Sequence, residues 1–241
     1  MLAHQLVVVQ DAHLGVCPAE VEEAFLDFLE AVPTLGDGLL INGDLFDFFF
    51  AWGRVVPRGS VRMAAALQQL RARVPIAMTG GNHDRWGGTF WQELGIEFSP
   101  LGLPLQVGYR KALAIHGDGI TERHWSARAL YHLTKNPVVL GLFRWIHPDL
   151  AMKITDRMQH GLGNTVIDPA ILDAAAGRQE TWARAALAAD PTLGLIIMGH
   201  THRPACVDVA PGRTYLNPGA WVDGLKYAVV TGTAAELRTF A

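Results

Sequence analysis

Five short clusters of carboxylates, imidazoles and one amide stand out along the chain because their side chains can bind metal ions. They are Asp11-Ala-His13, Gly43-Asp44-Leu-Phe-Asp47, Gly81-Asn82-His83-Asp84, His116-Gly-Asp118 and Gly199-His200-Thr-His202. None contains a cysteine, and such an oxygen and nitrogen donor set suits Mn²⁺, Fe or Zn²⁺. The alternating spacing within the first and last clusters brings two ligands to one side wherever the backbone is extended.

The clusters supply more ligands than one metal ion needs. The candidates are Asp11, His13, Asp44, Asn82, His116, His200 and His202. Seven ligands are too many for a single tetrahedral zinc ion, and they suit two ions that share a bridging carboxylate. Two metal ions about 3.5–4 Å apart can activate water and neutralise the oxygens of a phosphate. The clusters therefore predict hydrolysis of a phosphate ester or anhydride.

Each cluster follows a short apolar run that predicts a buried strand. These runs cover residues 6–9, 39–41, 76–78, 112–115 and 195–198. Apolar residues at intervals of three and four predict helices over 21–32 and 60–74. Alternation of strands and helices indicates an α/β protein, in which ligands bind at the ends of strands.

The segment at about 119–163 has a different character from its surroundings. It is helical in pattern and rich in aromatic and basic residues, and it lies between two predicted core strands. We predict that it is a helical cap inserted into a single domain that spans 1–241. Within or beside the cap, Arg123 and Trp145 are candidates for substrate contact.

Composition limits the class of partner. The formal net charge is −3 and only 18% of residues are charged, which disfavours a general nucleic-acid binder. Two cysteines, Cys17 and Cys206, indicate neither a disulfide framework nor a zinc site. We expect a cytoplasmic protein with a small-molecule substrate, no signal peptide and no transmembrane span. Peripheral contact with the inner face of a membrane through the cap is compatible with this expectation, and the oligomeric state is open.

The five clusters, in this order, resemble the motif set of the calcineurin-like metallophosphoesterases. The resemblance implies a four-layer αββα sandwich and two divalent ions, with Mn²⁺ foremost and Fe, Zn²⁺ or Ni²⁺ as alternatives. Ligand roles carried over by position are Asp11, His13 and His202 for the first ion, Asn82, His116 and His200 for the second, and Asp44 as the bridge. We expect His83 to help stabilise negative charge on the phosphate and then to protonate the leaving oxygen or help it leave, with Asp84 holding the His83 imidazole by a hydrogen bond. For Asp84 and Asp118 we favour orientation of a neighbouring imidazole over a turn-forming role, and the same two roles are open for Asp47.

A narrower resemblance is to the UDP-2,3-diacylglucosamine diphosphatase family. Asp-Ala-His-Leu, Gly-Asp-Leu-Phe, His-Gly-Asp and Gly-His-Thr-His-Arg-Pro all carry it. It implies cleavage of a phosphoanhydride in a UDP-sugar or lipid-like substrate. The chain differs from that family at His83, where arginine is typical.

Other functions remain open from the sequence. A general phosphomonoesterase or a cyclic-nucleotide phosphodiesterase would use the same site, and a nuclease is disfavoured by the net charge. A non-catalytic scaffold on this fold is the alternative from another class, although such a protein is expected to have lost ligands. Arg203 either binds substrate phosphate or pairs with a carboxylate.

Overall fold

The chain is built from short strands and helices that alternate along most of its length. A computed structural model describes residues 2–122, 125–163 and 168–241. The strands are β1 (Leu2–Ala3), β2 (Gln5–Val9), β3 (Gly38–Asn42), β4 (Ile76–Thr79), β5 (Glu97–Ser99), β6 (Leu103–Val107), β7 (Arg110–Ala114), β8 (Leu193–Ile197), β9 (Ala205–Ala210), β10 (Arg213–Asn217), β11 (Lys226–Thr231) and β12 (Ala235–Thr239). The helices are α1 (Ala19–Leu35), α2 (Val61–Arg71), α3 (Phe90–Glu93), α4 (Trp125–Leu133), α5 (Pro137–Phe143), α6 (Pro148–Gly163) and α7 (Pro169–Ala189).

The strands form two six-stranded sheets that pack face to face. One sheet has the order β1-β6-β7-β8-β10-β9 and the other has the order β12-β11-β2-β3-β4-β5. Successive side chains of a strand point to opposite faces of its sheet. In β2, Leu6 and Val8 accordingly join the apolar core between the sheets, whereas Val7 and Val9 join the core beneath the helices. This strand is therefore apolar at four consecutive positions because both of its faces are covered.

Helices cover the outer face of each sheet. Phe25, Phe28 and Val32 of α1 pack on the β2 sheet together with residues of α2. On the other sheet, Ala183 and Leu187 of α7 pack against β8 and β10. The four-layer αββα arrangement that the resemblance implied is confirmed. Helix α7 was not predicted, although its buried residues are spaced at intervals of four.

The segment between β7 and α7 contains the three helices α4, α5 and α6. The Asn136 side chain caps α5 by accepting hydrogen bonds from the amides of Val138 and Val139 at 2.9 and 3.3 Å. At the other end of α5, Phe143 packs against Phe50 and Trp52. These ring contacts join the helices to the loop that follows β3, which also carries Asp44 and Asp47. The idea that the segment between β7 and α7 is a cap on a single domain stays a prediction.

Sheet pairing brings the ligand clusters together. Strands β2, β3 and β4 are parallel neighbours, and so are β7 and β8 in the other sheet. Each of these strands ends just before one of the five clusters, so all the clusters lie at one edge of the sandwich. Within the part of the chain that the structure describes, no helix has the length and apolar character needed to cross a membrane.

Candidate metal centre

Five of the seven predicted ligands have a backbone conformation that is uncommon for residues other than glycine. The positive φ angles are 51° at Asp11, 47° at His13, 50° at Asp44, 71° at His200 and 56° at His202. Such conformations cost free energy and persist where the surrounding structure enforces them, often at functional sites. Here the loops hold one another, because the amides of Ala12 and His13 both donate to the Asp44 carbonyl at 2.9 and 3.1 Å.

Asp11, His13 and His202 form the first candidate ligand group. One donor atom from each lies within 4.8 Å of the others. The Nε2 atoms of the two imidazoles are 3.4 Å apart. The backbone amide of His200 donates to both oxygens of Asp11 at 3.2 and 3.1 Å, which orients this buried carboxylate. The group matches the set that the sequence assigned to the first ion.

Asp44, His116 and His200 form the second candidate group by the same distance criterion. His116 Nδ1 donates to the Asn42 carbonyl at 2.9 Å, and its Nε2 lies 3.0 Å from Asp44 Oδ2. Nearby, Asn82 Oδ1 is buried and accepts no hydrogen bond among the described residues. An unpartnered buried oxygen costs free energy, and a cation beside it would remove that cost.

Electrostatics in this cluster favour bound cations. Burial alone raises the pKa of Asp44, but the charges of His116 and His83 outweigh burial and hold that pKa well below its usual range. Burial lowers the pKa of His13, yet the Asp47 hydrogen bond and the Asp44 charge raise it to about 9. Without metal, the imidazoles therefore serve as the counter-charges of buried carboxylates. The donor set and the unpartnered Asn82 oxygen fit two divalent cations.

His83 lies at the rim of this cluster with one ring nitrogen already occupied. Its Nδ1 is 2.6 Å from the carbonyl oxygen of Asp47 and 3.6 Å from the carboxylate of the same residue. Asp47 also lies 3.7 Å from His13 Nδ1. The orienting role considered for Asp47 is therefore compatible with its position.

Asp84 does not hold the His83 ring, and the sequence-based expectation for its hydrogen bond is wrong. Its carboxylate accepts hydrogen bonds from the amides of Gly81 at 2.8 Å, Asp44 at 3.2 Å and Leu45 at 2.7 Å. Burial, together with the Asp44 charge, raises the pKa of Asp84 to about 6. Asp84 thus joins the loop after β4 to the loop that carries Asp44.

The remaining candidates have varied positions. Asp118 pairs with the buried Arg85 rather than with an imidazole. Arg203 donates to Asp173 at 2.7 Å, which is the carboxylate pairing that the sequence left open. Trp145 is 91% exposed and does not line the cavity beside the cluster. Arg123 lies outside the described residues.

A cavity of about 420 Å³ opens beside the ligand cluster. Its polar end is formed by Asp47, Asn82, His83, Asp118, Glu122 and His200. Its apolar wall has two parts. One part comes from the segment after β3 together with Trp86, and the other comes from the helices of the insert. The residues of the wall are Phe48, Phe50, Trp86, Leu130, Tyr131, Val139, Leu140 and Phe143. A molecule that combines an anionic group with an apolar tail would match this division.

Three polar residues that support the site lie outside the predicted set. Asp223 accepts from His202 Nδ1 at 2.7 Å, and Glu122 lies 3.5 Å from His200 Nε2. Gln179 of α7 donates to the Gly199 carbonyl at 2.9 Å and so supports the loop that carries both histidines. No local sequence signal marks them, because each meets its partner through the folding of distant segments.

Comparison with known proteins agrees with this geometry. The sequence model named calcineurin-like phosphoesterase matches residues 6–204. The chain belongs to this family and is a metal-dependent phosphohydrolase. The alternative of a non-catalytic scaffold is therefore rejected.

Individual relatives give a more specific comparison than the family model does. A UDP-2,3-diacylglucosamine hydrolase from Yersinia pestis bv. Antiqua (strain Angola) is 30% identical over 251 residues, covering 96% of this chain and 97% of that protein. A protein of the same name from Porphyromonas gingivalis is 26% identical, covering 98% of this chain and 97% of its own length. An archaeal phosphodiesterase of known structure has a TM-score of 0.52 at 12% identity, with 98% and 99% coverage, and shares the fold.

Proposed function

We propose that this enzyme cleaves the phosphoanhydride of an acylated UDP-sugar, as in UDP-2,3-diacylglucosamine hydrolysis. The observation that carries the proposal is the apolar cavity that opens onto Asn82, His83 and His200. A small soluble ester would need no such wall, whereas a lipid-like tail would bury itself there. The names of the two relatives support the same substrate class.

The proposed ligand roles are those that the family resemblance implies, and the two candidate groups described above support them. Two divalent ions, best supplied as Mn²⁺, would be held by Asp11, His13 and His202 on one side and by Asn82, His116 and His200 on the other, with Asp44 shared between them. When bound, such a pair activates water and neutralises charge on the phosphoryl oxygens. The buried Asp11 and Asp44 carboxylates supply negative charge to these ions.

His83 is proposed to act on the substrate rather than on a metal ion. Because Nδ1 donates to the Asp47 carbonyl, Nε2 is the nitrogen that remains for a phosphoryl or leaving-group oxygen. Its imidazolium would stabilise negative charge on the phosphate and give a proton to the leaving group. An ester hydrolase with a poor leaving group would benefit most from this proton, and for this reason a phosphomonoesterase or phosphodiesterase remains the second candidate.

Contact with a membrane surface is part of the proposal, since an acylated substrate resides in a lipid layer. Several large apolar side chains of the insert are exposed, among them Trp125, Val138, Leu142 and Trp145. Arg128 and Arg144 in the same helical segment would favour an anionic surface.

Sedimentation with anionic vesicles tests the proposed membrane contact, and Trp145→Ser should reduce binding to the vesicles. Vesicle-independent self-association would instead indicate that a second copy covers these side chains. The cytoplasmic location stays a prediction.

A matched pair of substrates tests the proposed reaction. With Mn²⁺ present, the diacylated UDP-sugar should be cleaved to UMP and an acylated sugar phosphate. The same UDP-sugar without acyl chains should have a kcat/KM at least about 100-fold lower, because each buried CH₂ contributes about 0.8 kcal/mol. A cyclic nucleotide and an aryl phosphate complete the panel. Equal kcat/KM for the acylated and unacylated compounds, or faster cleavage of the cyclic nucleotide, would contradict the proposal.

A further inference from the structure

Asp223 lies outside all five sequence clusters, in the turn between β10 and β11. Its carboxylate accepts a hydrogen bond from His202 Nδ1 at 2.7 Å. Asp223 is 53% exposed and His202 is 26% exposed at the side chain, so the pair lies at the solvent side of the first ligand group. The contact joins a carboxylate to a histidine that is 21 residues earlier in the chain.

The turn that carries Asp223 is held firmly against the ligand loops. The Trp221 amide donates to the Gln10 carbonyl at 3.0 Å, and the Val222 amide donates to the Asp11 carbonyl at 3.2 Å. The Trp221 ring is fully buried and packs against Phe25 of α1 with ring centroids 5.1 Å apart. Asp223 therefore directly follows two residues whose backbone amides donate hydrogen bonds to Gln10 and Asp11, where the first cluster begins.

The hydrogen bond decides which nitrogen of His202 is left for a metal ion. A proton on Nδ1 is directed at Asp223, so Nε2 carries the lone pair. That Nε2 is 3.8 Å from Asp11 Oδ1 and 3.4 Å from His13 Nε2, inside the first ligand group. Carboxylates that accept from a metal-binding histidine in this way orient the ring and strengthen it as a ligand.

We infer that Asp223 is a positioning residue, which fixes the tautomer and orientation of His202 and so raises affinity for one of the two metal ions. The inference rests on the proposed role of His202 as a ligand. It assigns a function in metal binding to a residue that no local motif marks.

Metal titration of the metal-free protein tests the inference without relying on activity. Calorimetry with Mn²⁺ should resolve two binding steps in the unaltered chain. Asp223→Ala should weaken one step by about 10–100-fold and leave the other unchanged, which is the range found when such partners of ligands are removed. Asp223→Asn keeps an acceptor without the charge, and its loss should be smaller. Asp149→Ala is the matched control, because its exposed carboxylate lies 3.9 Å from the exposed His147, which belongs to none of the five clusters. Its removal also deletes one carboxylate beside an imidazole.

A second readout separates this inference from the metal assignment itself. The ¹⁵N shifts of His202 in metal-free protein, at a pH where the ring is neutral, should report a proton on Nδ1, and Asp223→Ala should move the proton toward Nε2. Unchanged affinity in Asp223→Ala, an equal loss in Asp149→Ala, or an Nε2-protonated ring in the unaltered chain would each overturn the inference. If the unaltered chain bound no Mn²⁺, the proposed function would fail while the ¹⁵N measurement still decided the Asp223–His202 contact.

Discussion

At the level of single residues, the ligand loops combine strained backbone with close mutual contact. Besides the five positive φ angles at ligands, glycine is needed where loops meet, because a side chain at Gly81 would collide with the Asp44 carboxylate. Asp44 is also the residue that both ligand groups approach, since His116 Nε2 lies 3.0 Å from it and its carbonyl accepts from the His13 amide. Its position suits a carboxylate shared by two cations.

Asp44→Ala should therefore remove metal and activity together. Elemental analysis should find about two divalent ions per chain in the unaltered protein and fewer than one in Asp44→Ala, because both ions would lose a shared anionic ligand. Loss of a residue that only hydrogen-bonds to a metal ligand typically lowers activity by roughly 10–100-fold. Turnover of Asp44→Ala should fall by more than this, because Asp44 would bind the metal ions directly. Asp27→Ala, at an exposed position in α1, makes the same charge change and should alter neither quantity. Full metal content with normal turnover in Asp44→Ala would rule out the bridging role.

His83 should affect the reaction more than metal binding. A general acid contributes about 10²–10⁴-fold in rate, and a poor leaving alkoxide needs the proton most. His83→Ala should keep both metal ions, lose activity by about this factor on alkyl phosphate esters and lose much less on nitrophenyl esters. Steady-state kinetics on the two ester series, with metal content measured beside them, checks the prediction. Equal losses on both series would indicate that His83 does not donate the proton.

His83→Arg sharpens the test of substrate class. Arginine keeps a positive charge but does not release its proton at working pH. A phosphoanhydride has a good leaving group, so this variant should remain active on an acylated UDP-sugar and be inactive on alkyl esters. A metal-replete His83→Arg enzyme that is inactive on the UDP-sugar would argue for an ester substrate instead.

At the level of elements, the helices of the insert complete the cavity that the sandwich begins. Leu130 and Tyr131 come from α4, Val139 and Leu140 come from α5, and the opposing aromatic wall comes from the segment after β3. Phe143, the last residue of α5, joins the insert to the segment after β3 through ring contacts with Phe50 and Trp52, at centroid distances of 4.9 and 6.2 Å. The insert thus contributes shape and apolar surface near the cluster, while the loops that follow the strands contribute the candidate ligands.

Phe143→Ser and Trp145→Ser should separate the cavity from the exposed face of the insert. With substrate dispersed in detergent, Phe143→Ser should lower kcat/KM for a long-chain substrate by about tenfold or more, because it removes apolar wall from the cavity. Activity on a small aryl phosphate should change little. Trp145→Ser is the matched control, since its ring is exposed to solvent, and it should change neither rate by more than about twofold. Equal loss on both substrates in Phe143→Ser would point to a structural role.

At the level of the whole molecule, two sheets and their covering helices bring distant segments to one edge. Tyr215 of β10 illustrates how α7 is tied to the sheet, because its hydroxyl donates to Gln179 at 3.3 Å and only 1% of the residue is exposed. Gln179 in turn donates to the Gly199 carbonyl, which precedes the candidate ligands His200 and His202. Packing of α7 on its sheet therefore contributes to the position of the site.

Stability at alkaline pH should depend on Tyr215. Burial raises its pKa to about 12, against about 10 in an unfolded chain. A raised pKa means that the folded state favours the neutral phenol. This contribution is fully present below about pH 10 and is lost as the pH rises to about 12, amounting to about 2–3 kcal/mol. Denaturant unfolding of metal-free protein between these pH values should show a smaller decrease for Tyr215→Phe than for the unaltered chain. The exposed Tyr109→Phe should behave like the unaltered chain, and an equal decrease in Tyr215→Phe would contradict the assignment.

The order of apolar runs and polar clusters along the chain was sufficient to predict the α/β class, the strands that precede the clusters and the aspartates and histidines that meet in two candidate ligand groups. These features are local, because a buried strand is a short apolar run and each ligand cluster follows one directly along the chain. Strand pairing between neighbours then brings Asp11, Asp44 and Asn82 to the same edge of the sandwich.

The polar groups that support those candidate ligands could be identified only once the fold was known. Asp84 could be expected to hold its neighbour His83, yet it accepts from the amides of Asp44 and Leu45 on the preceding ligand loop. Asp223 reaches His202 because backbone hydrogen bonds hold the turn after β10 against the loop after β2. Contacts of this kind depend on how the two sheets stack and where α7 and the insert pack against them. Those distances are set by burial of surfaces from remote parts of the chain, which local spacing does not encode.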